Sequence, residues 1–252
     1  MLSNKKLFFV LGFGRSGTKL LSKMLQEANL DAKIQHEPFF KDAQEQQNAF
    51  VVGEEAAQKY IHFERGEFIK AEASSVSTYG EVNSLLRRHA ASLKTSFPHA
   101  KFVHLARNGK DVIRSLMSRR TMLSGDPNSS GIVPTDINPF PGEWDDADRF
   151  ERLCWYWAKE MEYLSSNIDH VFRLEDGLKN YNYFYRRLSQ YLGVDMPKDI
   201  WYKNVNNPVN QTGSYSFPHW RQWSKKQKEI FNKHCNDVMI YLGYYPIDKV
   251  SG

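Results

Sequence analysis

The residues able to do chemistry gather in the run Leu7-Phe-Phe-Val-Leu-Gly-Phe-Gly-Arg-Ser-Gly-Thr-Lys-Leu-Leu21. Gly12, Gly14 and Gly17 permit a tight turn whose backbone N–H groups can face an anion. Arg15, Ser16, Thr18 and Lys19 add side-chain donors in the same stretch. A helix starting there would direct its positive end at the same anion. The set suits a phosphorylated ligand. A second set lies in Lys101-Phe-Val-His-Leu-Ala-Arg-Asn-Gly-Lys-Asp-Val-Ile-Arg-Ser-Leu-Met117, where Arg107 ends an apolar run and Ser115 follows two helical turns later. Both can reach one phosphate. A third run, His170-Val-Phe-Arg-Leu-Glu-Asp-Gly-Leu178, carries Arg173 and Glu175, expected to pair and brace a strand end.

These sets need elements to position them. Apolar runs and turn residues place strands at 7–12, 32–36, 68–72, 101–106 and 170–174. Helical spacing places helices at 18–29, 41–63, 80–96, 109–120, 147–167 and 178–192, with a last one over Ser224–Leu242. Residues 121–146 read as a long loop and 193–220 as irregular. Strands alternating with helices predict an α/β fold. It is a single-domain, P-loop-like three-layer sandwich over 1–252 with a central parallel sheet, binding its ligand at the C-terminal strand edge. An ATP or GTP loop reads G-x-x-x-x-G-K-[ST]. Gly12 and Gly17 have that spacing, but Thr18 stands in the lysine position.

In order along the chain, these segments resemble the sulfotransferases that use 3′-phosphoadenosine 5′-phosphosulfate (PAPS). Gly14-Arg15-Ser16-Gly17-Thr18 is similar to their 5′-phosphosulfate loop, and Arg107-Asn-Gly-Lys-Asp111 with Ser115 to their 3′-phosphate motif. Arg173-Leu-Glu-Asp176 and the closing Trp220-Arg-Gln-Trp223 with Leu242-Gly-Tyr244 resemble two further family segments. The arginine at 15 and the Glu37-Pro38 pair resemble carbohydrate-type and bacterial members. Gly109, where the family often has proline, and Gly177, which interrupts Glu-Asp-Leu, depart from the pattern.

The resemblance implies sulfuryl transfer from PAPS, a co-substrate, to a carbohydrate or small-metabolite hydroxyl, without a metal ion. Arg15, Ser16, Gly17, Thr18 and Lys19 would hold the 5′-phosphosulfate, and Arg107 and Ser115 the 3′-phosphate. Arg15 would also stabilise transition-state charge. Glu37 in Gln35-His-Glu-Pro-Phe39 is the preferred general base, its alternative role being an ion pair with Arg15 or another cation that holds the loop. His36 is the second candidate, although strict strand alternation would turn the two side chains to opposite faces. His104, inside a strand, reads as a hydrogen-bonded core histidine, and Glu72, at the end of the 68–72 strand, as a possible substrate contact. The loop between Asn204 and His219 offers Gly213 and a few polar residues to the nucleotide. Segments 39–66 and 121–146 would shape the acceptor pocket.

Composition agrees. A formal charge of +5 suits a protein that holds a polyanion, yet no Lys/Arg run with interleaved aromatics marks nucleic acid as partner. Two cysteines, Cys154 and Cys235, make no disulfide framework and suggest a reducing compartment, with Cys154 buried on a helical face. The apolar run after the first lysines is about eight residues, too short for a membrane span, so the expectation is a cytoplasmic protein with no membrane partner. Two other classes stay open. One is a P-loop kinase, which would need Mg²⁺ and the missing lysine; the other is a nucleotide-binding protein without catalysis.

Overall fold

The computed structural model describes residues 4–126, 129, 131–207, 215–245 and 247. Five parallel strands form one sheet in the order β2-β3-β1-β4-β5, with β1 Lys6–Gly12, β2 Lys33–His36, β3 Thr78–Asn83, β4 Lys101–Ala106 and β5 Val171–Arg173. β1 lies in the middle because its apolar run is buried on both faces. Its side chains alternate: Leu7, Phe9 and Leu11 enter one core, while Phe8 and Val10 enter the other.

Helices cover both faces. They are α1 Thr18–Ala28, α2 Asp42–Val52, α3 Glu54–Tyr60, α4 Gly66–Ser74, α5 Ala90–Ser96, α6 Gly109–Met117 and α7 Arg149–Asn167. They continue as α8 Leu174–Lys179, α9 Tyr181–Phe184, α10 Gln190–Leu192, α11 Lys198–Asn206 and α12 Lys225–Tyr241. The core holding Phe9 includes Leu93 of α5, Trp157 of α7 and Phe231 of α12, whereas that holding Phe8 includes Leu21 of α1 and Trp201 of α11. Ser224 caps α12 through a reciprocal pair with Gln227. Among the described residues, no helix is long and apolar enough to cross a membrane.

The expected α/β sheet is present, but one strand is misplaced in the sequence reading. Residues 68–72 lie in helix α4, which buries Ile69 and Ala73 one turn apart. The internal position between β2 and β1 belongs instead to β3, where a helix was expected from residue 80. Gly53, at φ 95°, divides the expected 41–63 helix into α2 and α3, and a π-helical turn, Ile61–Arg65, follows. α11 falls inside the stretch expected to be irregular.

Polar groups fill the space under β2 and β3. Arg65 is fully buried, donating to Asp42 Oδ1 at 2.8 Å and Glu81 Oε2 at 2.6 Å. Tyr60 bonds Asp42, and Tyr79 donates to Glu81 and to Gln35 of β2. Burial raises Glu81 above the usual carboxylate range, and the Arg65 charge opposes that shift. The network fastens the C-terminal ends of both strands.

Candidate active site

The glycine loop leaves β1 and enters α1. The Ser16 N–H closes a turn on the Phe13 carbonyl at 3.1 Å, and Arg15 sits in the left-handed region at φ 73°. Gly17 follows at φ 87° as the N-cap of α1, where it makes no side-chain cap. Its first intrahelical bond runs from Leu21 N to Gly17 O, so the N–H groups of Thr18, Lys19 and Leu20 have no partner within the helix. The Ser16 hydroxyl is buried beside them without a hydrogen-bond partner among the described residues. Lys19 points to solvent.

The second set meets the first directly. Arg15 donates through Nε to Ser115 Oγ at 3.1 Å, and Arg107 Nη1 donates to the Arg15 carbonyl oxygen at 2.6 Å. Ser115 is fully buried in α6. Burial lowers the Arg15 guanidinium from its ordinary value, Arg119 and Arg107 lower it further, and Tyr215 opposes them. Arginine remains charged under any working condition, so Arg15 and Arg107 hold two like charges together at one sheet edge, and the charge of Arg119 acts on the same guanidinium.

The turn after Arg107 is tied from several sides. Asn108 caps α6, and its own N–H donates to Glu175 Oε1 at 2.9 Å. Glu175 also accepts from the Tyr244 hydroxyl at 2.7 Å. Arg173 pairs with Asp176 and donates to the Gly243 carbonyl, so the expected Arg173–Glu175 pair does not form; each braces a different neighbour. A side chain at Gly109 would meet the Trp157 ring at 2.6 Å, and one at Gly177 the Phe172 ring at 2.2 Å. Packing therefore explains both departures from the family pattern. Lys110 lies over Trp220, and Arg221 faces the same ring. Of the stretch expected to reach the nucleotide between Asn204 and His219, residues 208–214, including Gly213, fall outside the described residues.

Glu37 and His36 come together, against the strand argument. β2 ends at His36, and Glu37 takes φ 47°, a left-handed conformation that swings its carboxylate back beside the imidazole. His36 Nε2 is 3.0 Å from Thr18 Oγ1 and 3.7 Å from Glu37 Oε1. Burial lowers His36 below its ordinary value and Lys19 adds to this, with Glu37 pulling the other way. Glu37 makes no ion pair with Arg15; Ser84 holds it, donating from its hydroxyl and, at 3.3 Å, from its backbone N–H to Oε1.

Ser84 escaped the sequence reading because the stretch was assigned to a helix. The signal available was Asn83-Ser84, a polar turn pair closing a short strand. Glu72 is no strand-end substrate contact: it lies on α4 and pairs with Lys33 at 2.6 Å. His104 is a core residue of β4 as expected, but neither ring nitrogen has a hydrogen-bond partner among the described residues. Cys154 is buried against Cys235 as a free thiol.

No protein-family model matches the sequence, and no curated protein is similar to it in sequence. Among solved structures, the sulfotransferase domain from the curacin biosynthetic pathway is similar over 96% of this chain and 99% of that one, with TM-score 0.52 and 15% identity. The chain has a sulfotransferase fold. At that identity the likeness concerns the backbone alone, and the side-chain arrangement above stands on its own geometry.

Proposed function

We propose that this protein is a sulfotransferase that takes a sulfuryl group from PAPS and passes it to an acceptor hydroxyl. The observation that carries the reading is the meeting of Arg107 and Ser115 with Arg15 on the glycine loop, with the carboxylate of Glu37 just past the neighbouring strand end. Clustered cations at a helix N-terminus call for a polyanion, and the carboxylate beside them is suited to receiving a proton.

In this reading the free N–H groups of the α1 first turn, the Ser16 and Thr18 hydroxyls and Arg15 bind the 5′-phosphosulfate. Lys19, exposed on that first turn, adds a second cation there. Arg107 and Ser115 bind the 3′-phosphate. The acceptor oxygen attacks sulfur in line and forms the new S–O bond. The bond between sulfur and the 5′-phosphate oxygen breaks, and its electron pair stays on that phosphate. Arg15 and the loop donors stabilise the charge that grows there. The acceptor proton passes to Glu37. His36, held neutral by burial and in contact with Thr18, keeps the loop and the carboxylate in register. The scheme draws on no metal ion. A carbohydrate or small-metabolite hydroxyl is the proposed acceptor, and the cytoplasm the proposed site of action.

The test is thermal unfolding with 3′-phosphoadenosine 5′-phosphate, ADP or ATP, each with and without Mg²⁺. A ligand at about a hundred times its dissociation constant adds roughly 2.7 kcal/mol, which for a chain of this size raises Tm by about 5–10 °C. The expected shift is with the 3′-phosphorylated nucleotide and independent of Mg²⁺. A shift only with ATP and Mg²⁺ would refute the reading in favour of a kinase.

A further inference from the structure

Glu37 occupies a strained position, and something must hold it there. A non-glycine residue at φ 47° costs about 1–3 kcal/mol of backbone strain, which persists only where surrounding contacts fix it. Pro38 follows, so the backbone beyond offers no N–H to help. The contacts come from Ser84, on the adjacent strand end, whose hydroxyl and N–H both donate to Oε1. Among the described residues no donor reaches Oε2.

Ser84 is itself fixed from behind. Asn83 Oδ1 accepts from Leu85 N at 2.8 Å and Leu86 N at 3.2 Å, folding the chain into a turn directly after Ser84. The Arg87 guanidinium then donates to the Ser84 carbonyl oxygen and to the Tyr156 hydroxyl, and its Nε lies 3.1 Å from Glu160. The same guanidinium lies 4.8 Å over the ring of Phe13, inside the glycine loop. Asn83, Ser84, Arg87 and Glu160 are all buried. A buried arginine held by tyrosine and glutamate is a rigid post, and its reach to both Ser84 and Phe13 joins the carboxylate support to the phosphate loop.

We infer that Ser84 is the positioning residue of the proton-transfer step, with Arg87 as its anchor. Two donors on Oε1 lock the carboxylate rotamer and leave Oε2 as the oxygen that receives the acceptor proton. As sulfur gains the acceptor oxygen and releases the 5′-phosphate oxygen with its electron pair, the proton moves from that acceptor oxygen to Oε2. The Ser84 donors meanwhile keep Oε1 fixed. The inference rests on the sulfotransferase reading and on Glu37 as its base.

A double-mutant cycle tests it. Wild type, Ser84→Ala, Glu37→Gln and the double variant are assayed at saturating ³⁵S-labelled PAPS with glucose, N-acetylglucosamine, p-nitrophenol and water as sulfuryl acceptors. Binding of 3′-phosphoadenosine 5′-phosphate is measured in parallel. Loss of a hydrogen bond to a charged group predicts a fall in kcat of about tenfold or more for Ser84→Ala, with nucleotide affinity within about twofold of wild type. Ser84→Thr, which keeps the hydroxyl, restores the rate. In the Glu37→Gln background, Ser84→Ala causes no further loss, because the carboxylate it serves is gone. Full kcat in Ser84→Ala, or losses that multiply in the double variant, would overturn the positioning role while leaving the sulfotransferase reading intact. Absence of transfer by wild type to every acceptor, water included, would overturn that reading and this inference with it.

Discussion

Two glycines in the loop between β1 and α1, three positions apart, should respond differently to the same substitution. Gly17 lies at φ 87°, and a Cβ there would stand 2.8 Å from Leu174 Cδ2 and 3.0 Å from Cδ1. An L-residue in the left-handed region costs about 1–2 kcal/mol. Forcing a methyl group against Leu174 adds about 1–3 kcal/mol of overpacking, reduced to the extent that the leucine end can turn aside. Gly17→Ala should therefore lose about 2–4 kcal/mol. At about 2–4 °C per kcal/mol for a chain of this size, its Tm falls roughly 5–15 °C. Gly14 has no left-handed φ, and its nearest neighbour to a new Cβ is Ser84 Oγ at 4.0 Å. Gly14→Ala should stay within about 0.5 kcal/mol of wild type or gain slightly from a less flexible unfolded chain. The assay is ligand-free thermal unfolding followed by circular dichroism, with urea melts for the free energies. Equal losses in the two variants, or a Gly17→Ala protein melting within 2 °C of wild type, taking ~2 °C as the resolution of one kcal/mol or less, would refute the reasoning from backbone geometry.

Arg107→Ala removes the brace on the Arg15 carbonyl and, in the proposed function, a ligand of the 3′-phosphate. Calorimetry should show a loss of about tenfold or more for 3′-phosphoadenosine 5′-phosphate beyond whatever loss AMP suffers; equal losses for the two nucleotides would remove Arg107 from the 3′-phosphate subsite. His104 is buried with both ring nitrogens unpartnered and its value pushed down to about 3. As pH falls below the unfolded-state value near 6.5, the unfolded chain binds the proton and the folded one does not, so stability drops. His104→Leu should flatten the fall in urea-melt stability between about pH 6 and pH 4 by roughly 1.4 kcal/mol per pH unit, and an unchanged slope would show that the ring takes a proton in the folded state.

What the sequence revealed was governed by how local each signal is. The β1–loop–α1 unit was legible because an apolar run, three glycines and an amphipathic helix follow one another without interruption. β3 was not, because Thr78-Tyr-Gly-Glu-Val-Asn83 carries Glu81 and Asn83 at fully buried positions. The groups that make their burial possible, Arg65 and Asp42, come from other elements and leave no trace in the strand itself. Gly80 likewise looks like a strand breaker until the Phe8 ring is seen in the space its side chain would take. Phe68-Ile-Lys-Ala-Glu72 has the alternation of a strand, and tertiary packing overrode it by burying Ile69 with Ala73. At the site, the nearness of Arg107 and Ser115 to the glycine loop could be read from type and spacing. The meeting of His36 with Glu37 could not, since it depends on one backbone torsion that no periodicity encodes.

The turn after Arg107 also has a consequence in time. Its supports are Glu175, Gly243 through Arg173, Tyr244 through Glu175, and the Tyr245 carbonyl that accepts from Lys110, 135 positions downstream. A ribosome adding about 5–20 residues per second needs roughly 7–27 s to travel that distance. Throughout that interval the nascent chain already contains the whole glycine loop, gains Arg173 and Glu175 about midway, and still lacks Tyr244 and Tyr245. The glycine loop is thus made well before the last of the contacts that brace the turn packed against it.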